Sequence, residues 1–391
     1  MPEAAPRPEP VPPERVPSSR DAYRVALVVP RQGPAGMFGP SCRAAAHLAA
    51  EEVDTAGGVA GRPVHLVEVD AGAAPAEVAR TVGALVDRGE VDAVAGWHLS
   101  SVRQALAPAV AGRVPYVYAT AYEGGEVGDG VVCTGELPGE QVVSALRFLR
   151  REFGWRRWLV VGDDYVWPRA TAHQAARVLR TAGVDLTAPL WVPLGSTDER
   201  VWERVVAELD RQADPRGGSA VPDGVLMLLV GSDGVRFNRA FHRAGLDARL
   251  VRFSPFMDET MLLGGGPETS RGLFASAGWF AGLTSAAALE FSAGFARHYE
   301  RLVGVGGLAV PSPGTMAEST YLGLRWLADV GRRAVPGPRE VDAARSAWSW
   351  DTPHGTVRLD GGRAHHRVHL AAATGAEFEV LGDVTADSTA G

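Results

Sequence analysis

VDAVAGWHLSSVRQALAPAVAGRVPYVYAT, residues 91–120, reads as a single strand–helix–strand unit. Residues 91–95 and 115–119 are short runs of small, β-branched and aromatic side chains, whereas residues 101–111 have the alanine-rich, amphipathic pattern of one crossover helix. Strands joined through a helix of that length lie parallel, because a tight turn is too short to reverse direction twice. The same alternation continues on the N-terminal side, with strands at 24–29 and 63–69 and helices at 42–54 and 75–88. Together these segments make one doubly wound parallel sheet. A second series starts beyond the 122–130 loop. Its helices fall at 139–153, 169–181, 198–211 and 235–244, and its strands at 158–161, 190–192, 225–230 and 250–253. The later pieces, a strand at 273–278, helices at 287–302 and 315–330 and strands at 356–359, 368–371 and 378–381, are left to be shared between the two units.

Length and composition agree with two α/β lobes. The chain has 391 residues, 46% hydrophobic and 22% charged, which is enough apolar surface for two cores. A formal net charge of −7 and the lack of a dense basic stripe disfavour direct nucleic-acid binding. All 39 basic residues are arginine, so phosphate-loop, Schiff-base and general-base lysine chemistry is excluded. Cys42 and Cys133 have no CxxC spacing and read as free, buried thiols. The proline-rich residues 1–22 read as a disordered tail without the apolar run of a secretory signal. With no stretch of ~18 apolar residues either, the expectation is a soluble, cytoplasmic protein that does not insert into a membrane.

Five further stretches stand out in order: GGVAGRP at 57–63, YEG at 122–124, GDDYVWPR at 162–169, PLGSTD at 193–198, and TPHGTVRLD at 352–360 followed by His365 and His366. Together they resemble the branched-chain amino acid, urea and short-chain amide branch of the type I periplasmic-binding-protein family. Within it the sequence looks most similar to urea transporter receptors and to the cytoplasmic amide sensor of aliphatic amidase operons. The resemblance implies two doubly wound parallel-sheet lobes joined by a three-segment hinge. It places residues 23–135 and 255–360 in the first lobe and 136–254 and 361–391 in the second. It also implies a non-catalytic receptor without a cofactor, whose ligand lies between the lobes.

Ligands of open parallel sheets bind beyond the carboxyl ends of the strands. That rule points to His98, Leu99 and Ser100 after the third strand, where Ser100 is suited both to cap the following helix and to offer its hydroxyl to a ligand oxygen. Tyr118, Thr120 and Tyr122 reach the same rim from the next strand, which suits a small planar amide needing donors, an acceptor and an aromatic wall. The resemblance implies that Ser100, Tyr118 and Thr120 line the site and that Trp167, next to Tyr165, closes it from the other lobe. The sequence departs from the family at His98, where amide sensors carry tyrosine, at Trp167, where tyrosine or phenylalanine is usual, and at Ala119 and Ala121. Gly231, Ser232 and Asp233 complete the expected site, Asp233 reading first as a helix cap and second as a partner for an ammonium group. Asp258 and Glu259 are further acidic candidates there.

Other signals are weak. GVGGLA at 304–309 satisfies GxGxxA but follows a helical stretch rather than a strand, so it reads as a helix-ending loop. His365, His366 and His369 are not spaced for a metal and read as surface or lobe-packing residues. The resulting expectation is a ligand sensor for a small amide, urea or amino acid that signals through a regulator protein. The alternative is the substrate-binding protein of an ABC permease.

Overall fold

The computed structural model describes residues 21–125, 128–217, 220–303 and 310–385. The first lobe is built from β1 (Tyr23–Val29), α1 (Gly39–Thr55), β2 (Val64–Asp70), α2 (Pro75–Asp87), β3 (Ala93–Gly96), α3 (Ser100–Val110), β4 (Tyr116–Tyr118) and β5 (Val131–Cys133). Its five strands run parallel in the order β2-β1-β3-β4-β5. Helices cover both faces of this sheet, which is why β3, β4 and β5 are buried at every position rather than at alternate ones.

The second lobe begins with a π-turn at Gly139–Val143 that runs into α4 (Ser144–Phe153). It continues through β6 (Arg157–Asp163), α5 (Val166–Thr181), β7 (Asp185–Leu186), β8 (Leu190–Val192), α6 (Glu199–Gln212), β9 (Gly224–Leu228), α7 (Ser232–Arg243), β10 (Val251–Ser254), α8 (Glu259–Gly265) and β11 (Leu273–Ala277). The chain then returns through α9 (Ala286–Val303) and α10 (Thr315–Val330), which pack on α1, and through α11 (Pro338–Ser346) beside β5. A small antiparallel sheet of β12 (Ala347–Thr352), β13 (Gly355–Asp360) and β14 (Arg363–His365) follows, and β15 (His369–Thr374) with β16 (Glu377–Asp383) ends the fold. The second sheet has the order β16-β15-β11-β10-β9-β6-β7, with β8 also alongside β6.

The lobe boundary differs from the expected one. β11 stands between β10 and β15 in the second sheet, so the return to the first lobe comes after Ala277 and not at Ser254. The pattern of residues 273–277 announces a strand, but periodicity carries no information on which sheet receives it. After β10 the chain makes one more crossover through α8 into parallel β11 before it leaves. Cys42 and Cys133 are buried and free, as their spacing suggested. The GVGGLA stretch and residues 1–20 of the tail lie outside the described residues. Among the described residues, no helix is long and apolar enough to cross a membrane.

Candidate functional site

In each sheet the strand order reverses once, and a crevice opens where neighbouring crossovers leave in opposite directions. For the first sheet that point lies between β1 and β3, and for the second between β6 and β9. At the end of β3, Gly96 has φ +152° and lies so near β1 that a Cβ would sit 2.1 Å from the Val28 carbonyl oxygen. The tight exit aims Trp97, His98 and Leu99 at the crevice. The His98 peptide is then held by the next strand: Tyr118 Oη donates to its carbonyl at 2.9 Å, and Thr120 Oγ1 donates to the same oxygen at 2.9 Å while accepting from its N–H at 3.1 Å. The His98 ring turns inward, with Nε2 2.9 Å from Tyr116 Oη, and burial keeps it neutral by lowering its pKa to about 3. Three expected ligand residues thus secure one another. Thr120→Val keeps the shape but loses both bonds, and urea denaturation should show a loss of about 1–3 kcal/mol.

Ser100 does not cap α3. The N-cap is Leu99, with no side-chain hydrogen bond, and the Ser100 hydroxyl donates at 2.8 Å to Glu123 Oε2. Capping geometry requires the residue one position earlier, which sequence spacing alone could not fix. The same Glu123 carboxylate takes a salt bridge from Arg103 and a 3.3 Å bond from Gln104 Nε2. The Arg103 guanidinium, 2% exposed, lies over the rings of Tyr118 and Tyr122 at 5.2 and 5.5 Å. Arg103 and Glu123 are therefore part of the rim, although neither was among the residues expected to meet a ligand.

Across the crevice, Asp163 ends β6 and accepts from Val230 N at 2.8 Å. Asp233 does not cap α7, whose N-cap is Gly231; its Oδ2 accepts from Gly195 N at 2.5 Å and so fastens the 193–196 loop. Burial raises the pKa of both carboxyls, and Asp163 is pushed further by the charge of Asp233 beside it. Tyr165 is half-buried, its phenol raised by desolvation and then by Asp163, Tyr118 and Glu123 nearby. Trp167 meets Phe256 with ring centroids 4.9 Å apart and Phe256 meets Trp97 at 5.8 Å, both tilted, and Trp97 meets Phe38 edge-on at 5.1 Å, a buried aromatic column running from one lobe to the other. Ser232 N donates to Pro34 O at 2.9 Å and Gln174 Nε2 to Glu123 O at 2.8 Å, so the lobes are closed on each other. The hydroxyls of Tyr118 and Thr120 and Asp233 Oδ2 have protein partners, while buried Asp233 Oδ1 and Trp167 Nε1 have no hydrogen-bond partner among the described residues.

A family model described as periplasmic binding protein matches residues 22–377. The chain belongs to the periplasmic binding protein family. The fold is shared with a solute binding protein of an ABC transporter from Rhodopseudomonas palustris BisB5, solved with 3,4-dihydroxybenzoic acid, at 20% identity and a TM-score of 0.76 over 93% of this chain and 97% of that one. A benzoate-bound solute binding protein from R. palustris aligns at 17% identity with a TM-score of 0.75 over 93% and 96%. The branched-chain amino acid transporter substrate binding protein LivJ from Streptococcus pneumoniae, in complex with isoleucine, gives 16% and 0.75 over 93% and 98%. As a periplasmic binding protein, the chain binds and does not catalyse.

The hinge of this periplasmic binding protein is polar. Its three crossings are linked, because His366 Nε2 donates to Thr134 O at 2.8 Å and Gly278 N to Glu136 Oε1 at 2.9 Å. His366 Nδ1 lies 3.1 Å from His354 Nε2, so the two rings share one hydrogen bond. His354 Nδ1 in turn faces Glu318 Oε1 at 2.7 Å, a contact that favours the charged imidazole. Burial opposes that charge, yet the Glu318 carboxylate more than offsets it and raises the His354 pKa. His365 pairs with Glu140 at 3.2 Å, and His369 is buried in β15. Asp258 caps α8 and reaches the first lobe at Gly314, the N-cap of α10, while Glu259 accepts from Ala281 N at 2.8 Å in the second crossing. Burial raises these two carboxyls to about 7 and about 8.

Proposed function

We propose that this protein is the solute receptor of an ABC-type uptake system, which closes on one small planar molecule and presents the closed form to a permease outside the cytoplasm. The observation that carries this reading is the aromatic column across the seam, Phe38 and Trp97 against Phe256 and Trp167, of which Phe38, Trp97 and Trp167 follow the switch-point strands β1, β3 and β6. These rings touch one another in the closed form, so a flat guest would enter between them where the lobes part, with Trp167 Nε1, which has no partner among the described residues, as donor to a ligand oxygen. A guest favours closure only through contacts made to both lobes at once, and rings contributed from both sides supply them. The family's transport receptors support this role over the cytoplasmic sensor. Acetamide, urea, branched-chain amino acids and single-ring carboxylates and amides are the solute classes to test.

Calorimetry of the purified protein against that panel should give saturable one-to-one binding for at least one class, with no product on chromatography. Trp167→Phe keeps the ring but removes the donor, and affinity should fall about five- to fifty-fold, the worth of one buried hydrogen bond. If no compound in the panel binds, or Trp167→Phe binds as tightly as the parent, the reading fails.

A further inference from the structure

We infer that Glu123 sets the charge selectivity of the cleft, filling with its own carboxylate the seat that a ligand carboxylate would need, so that the receptor takes uncharged solutes such as amides in preference to the matching acids. The inference rests on the proposed cleft and concerns which molecules it admits. Three donors converge on this one carboxylate: Ser100 Oγ at 2.8 Å, the Arg103 guanidinium, and Gln104 Nε2 at 3.3 Å. A hydroxyl, a fork of N–H groups and an amide around one centre are the chemistry of a carboxylate receptor, and here the carboxylate belongs to the chain. The pair is sheltered, with side-chain exposures of 2% for Arg103 and 9% for Glu123, and two tyrosine rings cover the guanidinium.

Glu123 is also fixed in place by closure itself, since its carbonyl oxygen accepts from Gln174 Nε2 of the other lobe. A guest in the closed form therefore meets a rim whose local charge is already balanced. A second carboxylate brought there would face Glu123 at short range in a low-dielectric seam, and like charges so placed repel strongly. Expelling Glu123 instead would break the Ser100 and Arg103 contacts that hold it. A neutral amide avoids both penalties and keeps an oxygen for Trp167 Nε1 and an NH2 group for a carboxylate oxygen.

The test uses matched pairs, benzamide with benzoate and acetamide with acetate, titrated into the full-length protein and into Glu123→Gln. The parent should bind at least one amide about tenfold or more tightly than its acid, and Glu123→Gln should narrow that ratio at least tenfold by gaining affinity for the acid. Glu123→Asp, which keeps the charge, should retain the parent's preference. If Glu123→Gln leaves Arg103 too poorly compensated to fold, the double variant R103Q/E123Q carries no buried unpaired charge and should also narrow the ratio. Equal affinity of the parent for acid and amide, an unchanged ratio in the charge-removing variants, or no binding of any of the four compounds overturns the inference. Such a result leaves the receptor reading standing unless the wider panel also fails to bind or Trp167→Phe binds as tightly as the parent.

Discussion

Gly231→Ala should weaken solute binding by about 100-fold or more and open the molecule. Gly231 has φ +53° and ψ −119°, a region that side-chain-bearing residues rarely enter, and a Cβ there would lie 2.1 Å from the Pro34 carbonyl oxygen of the opposite lobe. Carbon and oxygen do not approach so closely, so the lobes must part by about 1 Å at this point, where the gap forfeits much of the dispersion contact across the seam. The separation breaks the Ser232 N to Pro34 O bond and loosens the aromatic column, together costing the closed form about 3 kcal/mol. Since apparent affinity scales with the population of the competent state, that penalty is roughly two decades in Kd. Small-angle scattering should show a larger radius of gyration in the variant, and calorimetry with the solute found for the parent should show the loss. Gly245→Ala is the control. It has a comparable φ of +68° but nothing within 4 Å of the added carbon, so it should lower stability slightly and leave binding intact. Parent-like affinity and scattering in Gly231→Ala would show that closure does not run through this contact.

How much of this was legible in the sequence depends on the range of the interaction. Strands such as β1 from Val25 onward and β9 are continuous apolar runs, and their crossover helices carry a clear 3.6-residue period, so two doubly wound sheets could be read locally. β5, three residues after a glycine-rich loop, and α11, a short helix opened by Pro338, fall below what periodicity can resolve. The sheet that receives β11 is decided by packing and not by pattern, which is why the lobe boundary was misplaced. The strand-end rule could place Ser100, Tyr118 and Asp233 at or just beyond the carboxyl ends of strands because it depends only on topology. It could not say where each polar atom would point. Ser100 turns to Glu123, Thr120 to the His98 peptide and Asp233 to Gly195, partners set by tertiary geometry. Trp97 and Phe256 were missed as a pair for the same reason, since nothing local tells two distant aromatic residues that they will meet. A buried arginine three positions after Ser100 and a glutamate one position after Tyr122 were available as signals, had charge pairing across the rim been considered.

The fold should lose on the order of 3–4 kcal/mol of stability between pH 6 and pH 8.5, and most of that loss should disappear in the double variant D258N/E259Q. Asp258 and Glu259 are fully buried at the seam, and desolvation holds their folded pKa values at about 7 and about 8, against roughly 4 in an unfolded chain. Within that interval the folded protein binds more protons than the unfolded one, so linkage makes stability fall as pH rises. The contribution is complete below the unfolded value of about 4 and is lost as pH passes through about 7 and then about 8. His354, raised by Glu318, adds in the same direction, because its proton too is held more tightly in the fold. His98 has the opposite sign. Lowered to about 3, it contributes stability that is complete above about 6.5 and is lost as pH falls, so it offsets the carboxyls on the acid side and leaves the alkaline limb as the steep one. Urea denaturation at half-unit pH steps measures the profile directly. The amide variants, neutral at every pH, should flatten the alkaline limb while leaving the acid side governed by His98. A profile level from pH 6 to pH 8.5 would mean that these carboxyls reach water, and the seam would then have to be open in solution. Deprotonation also places two negative charges between α10 and the second crossing, where only closed lobes bring Asp258 against Gly314. The same titration should therefore favour the open form and weaken solute binding over the same pH range, tying release to the chemistry that lowers stability.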